Sequence, residues 1–352
     1  IISFEPKVIG LDLSDLSVKV FQIEKNGKKD IVRGFGAADI SVGIIDDGRI
    51  IDKDKVVASI KAAFDASNAK KINSKKVICS LPESKAFVRI INIPKMSEHE
   101  AEEAVKWEME ASMPMSLEEV YFDWQFLEDN PGKTQRVLTA AVSKEIIDAW
   151  MEVLSLAGLD VFGLEVESVA TIRSLVDRNA KKEDISLIVD LGAKRTSFII
   201  SEGTVPYFTS SIPFSSEGIN DAISKALNVD NAEAEKIKVK NGIEGLDKEN
   251  PIFSSVNPLL ENLVVEITKT MDFYGEMSGQ QGGVGKVILC GGGSNMKGLV
   301  QYLNQRLGKE VLLGNPWINL NLGSDLPPID KESSVRYTTS IGLALRGSNY
   351  GN

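Results

Sequence analysis

Two aspartates close β-rich runs in the same local design. In the segment 7–24 an apolar run ends at Asp12, with Ser14 just beyond it before a second run begins; in 185–201 the pattern recurs with Asp190 and Gly192. A carboxylate at a strand end can hold Mg2+ through its water shell, because this cation dehydrates reluctantly. A turn of small residues lets backbone N–H groups approach phosphate oxygens. The turns at 12–17 and 192–196 could therefore grip one metal-triphosphate group between them. A third turn, Gly291-Gly292-Gly293, carries no side chains to exclude a flat heterocycle and could floor an adenine or ribose. Each turn alone is ordinary turn chemistry, but three in this order, two of them related by the repeat, point to a nucleotide. No Gly-x-x-x-x-Gly-Lys-Ser/Thr run and no Gly-x-Gly-x-x-Gly run is present, which closes the P-loop and Rossmann routes.

Other chemistries have little to work with. The single histidine, His99, sits in an acidic segment and reads as an exposed helix residue. The two cysteines, Cys79 and Cys290, are too few and too distant for a metal knuckle or a redox pair and read as buried thiols. A formal charge of -10 disfavours gripping a nucleic-acid backbone. No run approaches the roughly 20 apolar residues of a membrane span, and no signal peptide opens the chain as given. The expected location is cytoplasmic, with any membrane attachment made through a partner.

The elements that must position these residues follow from periodicity. With 352 residues, two or three domains are expected, of α/β class. The repeat at lobe scale suggests two similar halves facing each other. Strand, glycine turn and helix are expected over 286–307, with Gly308 as the stop. Helices are expected at 54–67, 145–157 and 259–277, and surface loops at 240–258 and 314–335. The segment 76–165 reads as an insertion with strands at 76–81, 86–91, 120–128 and 136–142 and a turn at Asn130-Pro131-Gly132. Its helix is opened by the capping box of Ser97 and Glu100, with Ala101, Ala104, Val105, Met109 and Ser112 inward. Trp107 falls off that stripe and either covers a neighbouring element or anchors a partner.

Gly10-Leu11-Asp12-Leu13-Ser14-Asp15-Leu16-Ser17-Val18-Lys19, Val189 to Ser197 and Val287 to Leu299 resemble the first phosphate, second phosphate and adenosine motifs of the actin-like ATPase superfamily. Within it the chain is similar to the PilM family of type IV pilus assembly, relatives of the cell-division protein FtsA. Ile93 to Ser97, Met113-Pro114 and Tyr121 to Trp124 resemble that family's inserted module, and the likeness covers nearly the whole chain. It implies a two-lobed fold: 1–75, 166–184 and 336–352 in the first lobe, 76–165 inserted, and 185–335 the second lobe with 212–285 its outer subdomain.

The resemblance implies ATP and Mg2+ as ligands. It gives nucleotide contact to Asp12, Ser14, Ser17, Lys19, Gly192, Lys194, Thr196, Gly291, Gly292, Gly293 and Ser294. Ala234 to Lys238 resembles the superfamily's Ala-Glu-x-Ile-Lys helix, which adds Glu235 and Lys238. Asp12 and Asp190 would place the metal through water, and Asp190 is the candidate catalytic base. Ser14 stands where the family usually has glycine, a residue freer to adopt positive φ. Ser340 to Ala344 looks like the last connecting helix, at a hinge. The implied function is an ATP-binding scaffold with weak or absent ATPase activity. It would dock the cytoplasmic N-terminal tail of a PilN-like inner-membrane protein and link it to the pilus motor ATPases, with self-association open. The alternatives are a small-molecule kinase of the superfamily and an FtsA-like filament former.

Overall fold

The computed structural model describes residues 7–69, 71–127, 132–247, 249–278 and 283–348. Two five-stranded sheets share one plan. In the first, β1 (Val8–Leu13) pairs antiparallel with β2 (Ser17–Asn26), which pairs with β3 (Lys29–Asp39). On its other side β1 runs parallel to β6 (Lys76–Leu81), followed by β10 (Asp160–Val166). The short strands β4 (Ile45–Asp46) and β5 (Arg49–Ile50) form a separate ribbon. In the second sheet β11 (Ile185–Leu191) pairs antiparallel with β12 (Thr196–Glu202), then β13 (Val205–Ile212). Parallel β14 (Lys286–Cys290) and β15 (Glu310–Leu313) complete it. Strand order and sense match position for position, so the duplication legible in the sequence is a duplication of topology. All six residues of β1 are buried, as expected for a strand with neighbours on both sides and covered faces.

A third sheet, β7 (Ala86–Pro94), β9 (Thr134–Ser143) and β8 (Val120–Phe126), lies between the two in sequence. The helix α2 (Glu98–Ser112) packs on it, its capping box formed and its Ala101, Val105 and Met109 buried. Ser112, expected inward, is exposed; so is Trp107, at 72%. His99 is exposed on the same helix. Elements expected in the insertion join the first lobe instead: β6 and β10 flank β1, and α3 (Lys144–Leu156) buries Trp150 and Val153 in that lobe's core. The reason is parallel pairing, which sequence periodicity cannot assign. The expected turn at Asn130-Pro131 lies outside the described residues.

The remaining helices are α1 (Lys53–Asp65), α4 (Glu167–Leu175), α5 (Ser216–Leu227), α6 (Asn231–Lys240), α7 (Pro251–Ser278), α8 (Leu299–Leu307), α9 (Lys331–Ser334) and α10 (Thr338–Ser348). The loop expected over 240–258 is half helix. Asn250 Oδ1 accepts from the Ile252 N–H at 2.9 Å and Pro251 occupies the first turn, so residues that read as breakers start α7. The stretch expected as the surface loop 314–335 contributes Trp317, only 7% exposed, which packs on Phe21 with ring centroids 5.9 Å apart. The helices α4 and α10 cross with almost no space between them. A Cβ on Gly342 would stand 1.9 Å from the Ala170 carbonyl oxygen, and one on Gly10 2.0 Å from that of Ser340.

Candidate functional site

The β1–β2 and β11–β12 hairpins have the same register. Asp12 pairs with Lys19 and Asp190 with Ser197, so both aspartates reach the same height at the carboxyl end of their sheets. Both turns close alike, with Ser14 N donating to Ser17 O at 2.9 Å and Gly192 N to Arg195 O at 3.0 Å. Between them opens a cleft of about 750 Å3 lined by both turns and by Gly291, Gly292 and Gly293, a size that suits a nucleotide-scale ligand. Among the described residues, none accepts from the backbone N–H groups of Asp15, Leu16, Ala193 or Lys194. Unclaimed backbone donors in turns of this kind can bind an anion.

Ser14 costs the first turn nothing in conformation. It is not among the residues with positive φ, and its hydroxyl is shared with Ser17, oxygen to oxygen at 3.0 Å. Lys19 Nζ sits between Asp12 Oδ2 at 3.2 Å and Ser17 Oγ at 2.8 Å. Asp12 Oδ1 accepts from Ser80, whose Oγ also accepts from the Leu13 N–H. Lys194 reaches across the cleft to within 3.8 Å of Asp46 in the first lobe.

Some residues named from sequence face elsewhere. Thr196 is fully buried, its hydroxyl donating to the Phe214 carbonyl at 2.9 Å. The register pairs Thr196 with Leu191 and places Ser197 opposite Asp190, so the hairpin's cleft-lining hydroxyl is Ser197. Ser294 is buried and bonded to the Gly291 carbonyl at 2.7 Å. Lys238 is 3% exposed, held by Ser216 Oγ and Glu235 Oε2, each at 2.5 Å, whereas Glu235 itself lines the cleft. Gly291, with φ 79°, is required by contact: a Cβ there would lie 2.2 Å from Asp190 Oδ1. Gly292 lines the cleft and has nothing within 4 Å of a Cβ, so packing does not require glycine there.

Sequence reasoning missed two acids. Glu167 opens α4 and Glu83 lies in the turn after β6; both line the cleft beside Asp12 and Asp190. They cap one another's segments, Ser168 N donating to Glu83 Oε2 at 3.0 Å and Glu83 N to Glu167 Oε2 at 3.4 Å. Burial, then the neighbouring Asp12, Asp190 and Glu83 carboxylates, push the Glu167 carboxyl well above its ordinary range. Burial and then Asp12 raise Asp190 to about 6, against the pull of Lys19. Neither glutamate stands in a motif, and no signal in the sequence pointed to them. Among the described residues no three His, Cys, Asp or Glu side chains converge closely enough to hold an ion directly. Cys79 and Cys290 occupy equivalent strands as free, buried thiols, and burial raises both.

A duplicated sheet plan, paired strand-end hairpins and a cleft between lobes define the actin-like ATPase fold. Two solved structures share the fold at low identity. They are the ethanolamine utilization protein EutJ from Carboxydothermus hydrogenoformans (16% identical, 97% of this chain and 90% of that one, TM-score 0.60) and MreB 5 of Spiroplasma citri bound to AMPPNP (15%, 97% and 96%, TM-score 0.54). The chain belongs to the type IV pilus assembly protein PilM family, whose profile matches residues 10–348. It is similar to the solved structure of a PilM-PilN type IV pilus biogenesis complex, 26% identical over 98% of this chain and 100% of that one, with a TM-score of 0.83. Among the described residues no helix is long and apolar enough to cross a membrane.

Proposed function

We propose that this chain is a cytoplasmic, nucleotide-binding scaffold of type IV pilus assembly. It holds Mg-ATP between its lobes and docks the cytoplasmic N-terminal tail of a PilN-like inner-membrane protein beside the inserted sheet, linking it to the pilus motor ATPases. The observation that carries the nucleotide half is the pair of equivalent turns that line one cleft and carry four unclaimed N–H groups. The partner half is supported by likeness to a PilM-PilN complex.

In this reading the two turns hold the triphosphate, and Asp12 and Asp190 orient the metal's waters. Gly292 lies under the nucleoside, and Glu235, steadied by Lys238 and Asn220, takes the ribose hydroxyls. Magnesium, when bound, would offset phosphate charge. Burial and the neighbouring carboxylates raise the Glu167 carboxyl, so a cation bound beside it would relieve crowded negative charge, and binding is the output we assign to the cleft.

Calorimetry with Mg-ATP tests the nucleotide half; absence of binding removes it. Gly292→Trp should fold, since a Cβ there meets nothing within 4 Å and the position opens on the cleft, yet lose at least about tenfold in affinity, or about 1.4 kcal/mol. Undiminished binding would take Gly292 out of the nucleoside site.

A further inference from the structure

The inserted sheet is attached to the molecule twice, by covalent bonds to one lobe and by a buried ion pair to the other. Its strands leave and rejoin the first lobe at 81–86 and 143–144. On β9, Arg136 Nη2 donates to Glu202 Oε2 at 2.6 Å, and Glu202 ends β12 of the second lobe. The two side chains are 12% and 4% exposed, and Glu202 Oε1 also accepts from Tyr274 OH of α7 at 3.3 Å. Tyr274 is fully buried and stacks edge-on against Tyr207 of β13, centroids 5.1 Å apart, so the acceptor is fixed in a rigid wall. Beside the pair, β13 packs against β7 and against the turn that roots the module. That turn, Pro82 to Ser84, is itself part of the cleft wall, where Glu83 and Glu167 cap one another.

The groups facing the pair are few. Burial first and then Glu202 raise the hydroxyls of Tyr207 and Tyr274, and Arg136 opposes that on Tyr207. Neither tyrosine releases its proton near neutral pH, so the contact is a mechanical link and not a pH switch. Separating Arg136 from Glu202 would leave a largely buried charge without its partner, so the module follows the second lobe. Its root is held by the first lobe, and the two sheets meet through α10, packed on β1 and β2, and α4, which packs on α10 and on the second sheet. A change in the angle between lobes must therefore shear the module against one of them.

We propose that the inserted module reads the occupancy of the cleft, with the Arg136–Glu202 pair as the clasp that transmits lobe closure to it. This inference rests on the reading that a nucleotide occupies the cleft. It makes the partner-docking region responsive to nucleotide through a contact remote from the phosphates.

The test is amide hydrogen exchange over 86–143 in the full chain, with and without saturating Mg-AMPPNP, in the parent and in Arg136→Met. In the parent, nucleotide should change exchange in β7 and β9 by about fivefold or more. Arg136→Met should lose that response while its affinity for Mg-AMPPNP stays within about threefold of the parent, and Arg136→Lys should recover part of it. Should Arg136→Met fold poorly, the double replacement Arg136→Met with Glu202→Met removes both charges and leaves no unpaired one. A parent that binds nucleotide with an unresponsive module overturns the clasp alone, as does a variant that responds like the parent. A parent that binds no nucleotide overturns the clasp together with the nucleotide reading.

Discussion

Asp190→Asn should melt at a higher temperature than the parent at pH 8 while losing Mg-nucleotide binding. The Asp190 carboxyl has a folded pKa of about 6 against an ordinary 3.8, caused first by burial and then by Asp12. The folded state therefore binds more protons than the unfolded chain between these values, and stability falls as pH rises through them. Below about pH 4 the acid is neutral in both states and the cost vanishes; above about pH 6 it is fully present. At 1.36 kcal/mol per unit the cost is at most about 3 kcal/mol, and partial hydration of the cleft brings it to about 1–3 kcal/mol.

Asparagine keeps the shape and removes the charge. Melting of both proteins at pH 4, 6 and 8 without nucleotide, with calorimetry alongside, checks the two effects. Equal melting temperatures at pH 8, or unchanged affinity, would refute the assignment. Read from sequence alone, loss of this carboxylate looks neutral to stability. Burial first, then Asp12 and Glu83, make it otherwise, and the crowded carboxylates are what a bound cation would relieve.

Gly342→Ala should destabilise the protein by about 3 kcal/mol or more, beyond the usual range for one added methyl group. The atoms in the way are the carbonyl oxygen, carbonyl carbon and Cα of Ala170, at 1.9, 2.6 and 3.1 Å from the new Cβ. All are backbone, so no rotamer change can relieve the contact, and α10 must lift from α4. The Glu165 carboxylate bonded to both Arg173 and Arg346 would be strained with it. Urea unfolding measures the loss, with Gly292→Ala as the control that changes a glycine in open space. A loss for Gly342→Ala below about 0.5 kcal/mol, the size of an ordinary surface change, would show that the helices separate at little cost and are no tight crossing.

The duplicated sheet plan and its pair of strand-end hairpins were legible in the sequence because each rests on a local pattern. An apolar run, an acid, a small residue and a second apolar run are contiguous, and a hairpin realises them without help from distant residues. The triglycine turn and the Ser97 capping box are likewise local. Misreadings arose where a local signal had a second meaning. Asn250 and Pro251 serve a loop or a helix start equally well, and Trp317 was hidden in a polar stretch until Phe21 offered it a partner.

What the chain by itself determined is therefore the repeated hairpin, its strand-end acids and the glycines that keep the cleft open. Periodicity and turn chemistry act over a few residues, and a few residues suffice for these. Only the tertiary structure decided that Ser197 and not Thr196 faces the cleft, since one step of register turns a side chain to the opposite face. It alone brought Glu83 and Glu167 beside Asp12 and Asp190, moved β6, β10 and α3 into the first lobe, and joined Arg136 to Glu202. Those outcomes depend on parallel pairing and charge burial between segments 66 or more residues apart, a range at which no sequence pattern carries distance.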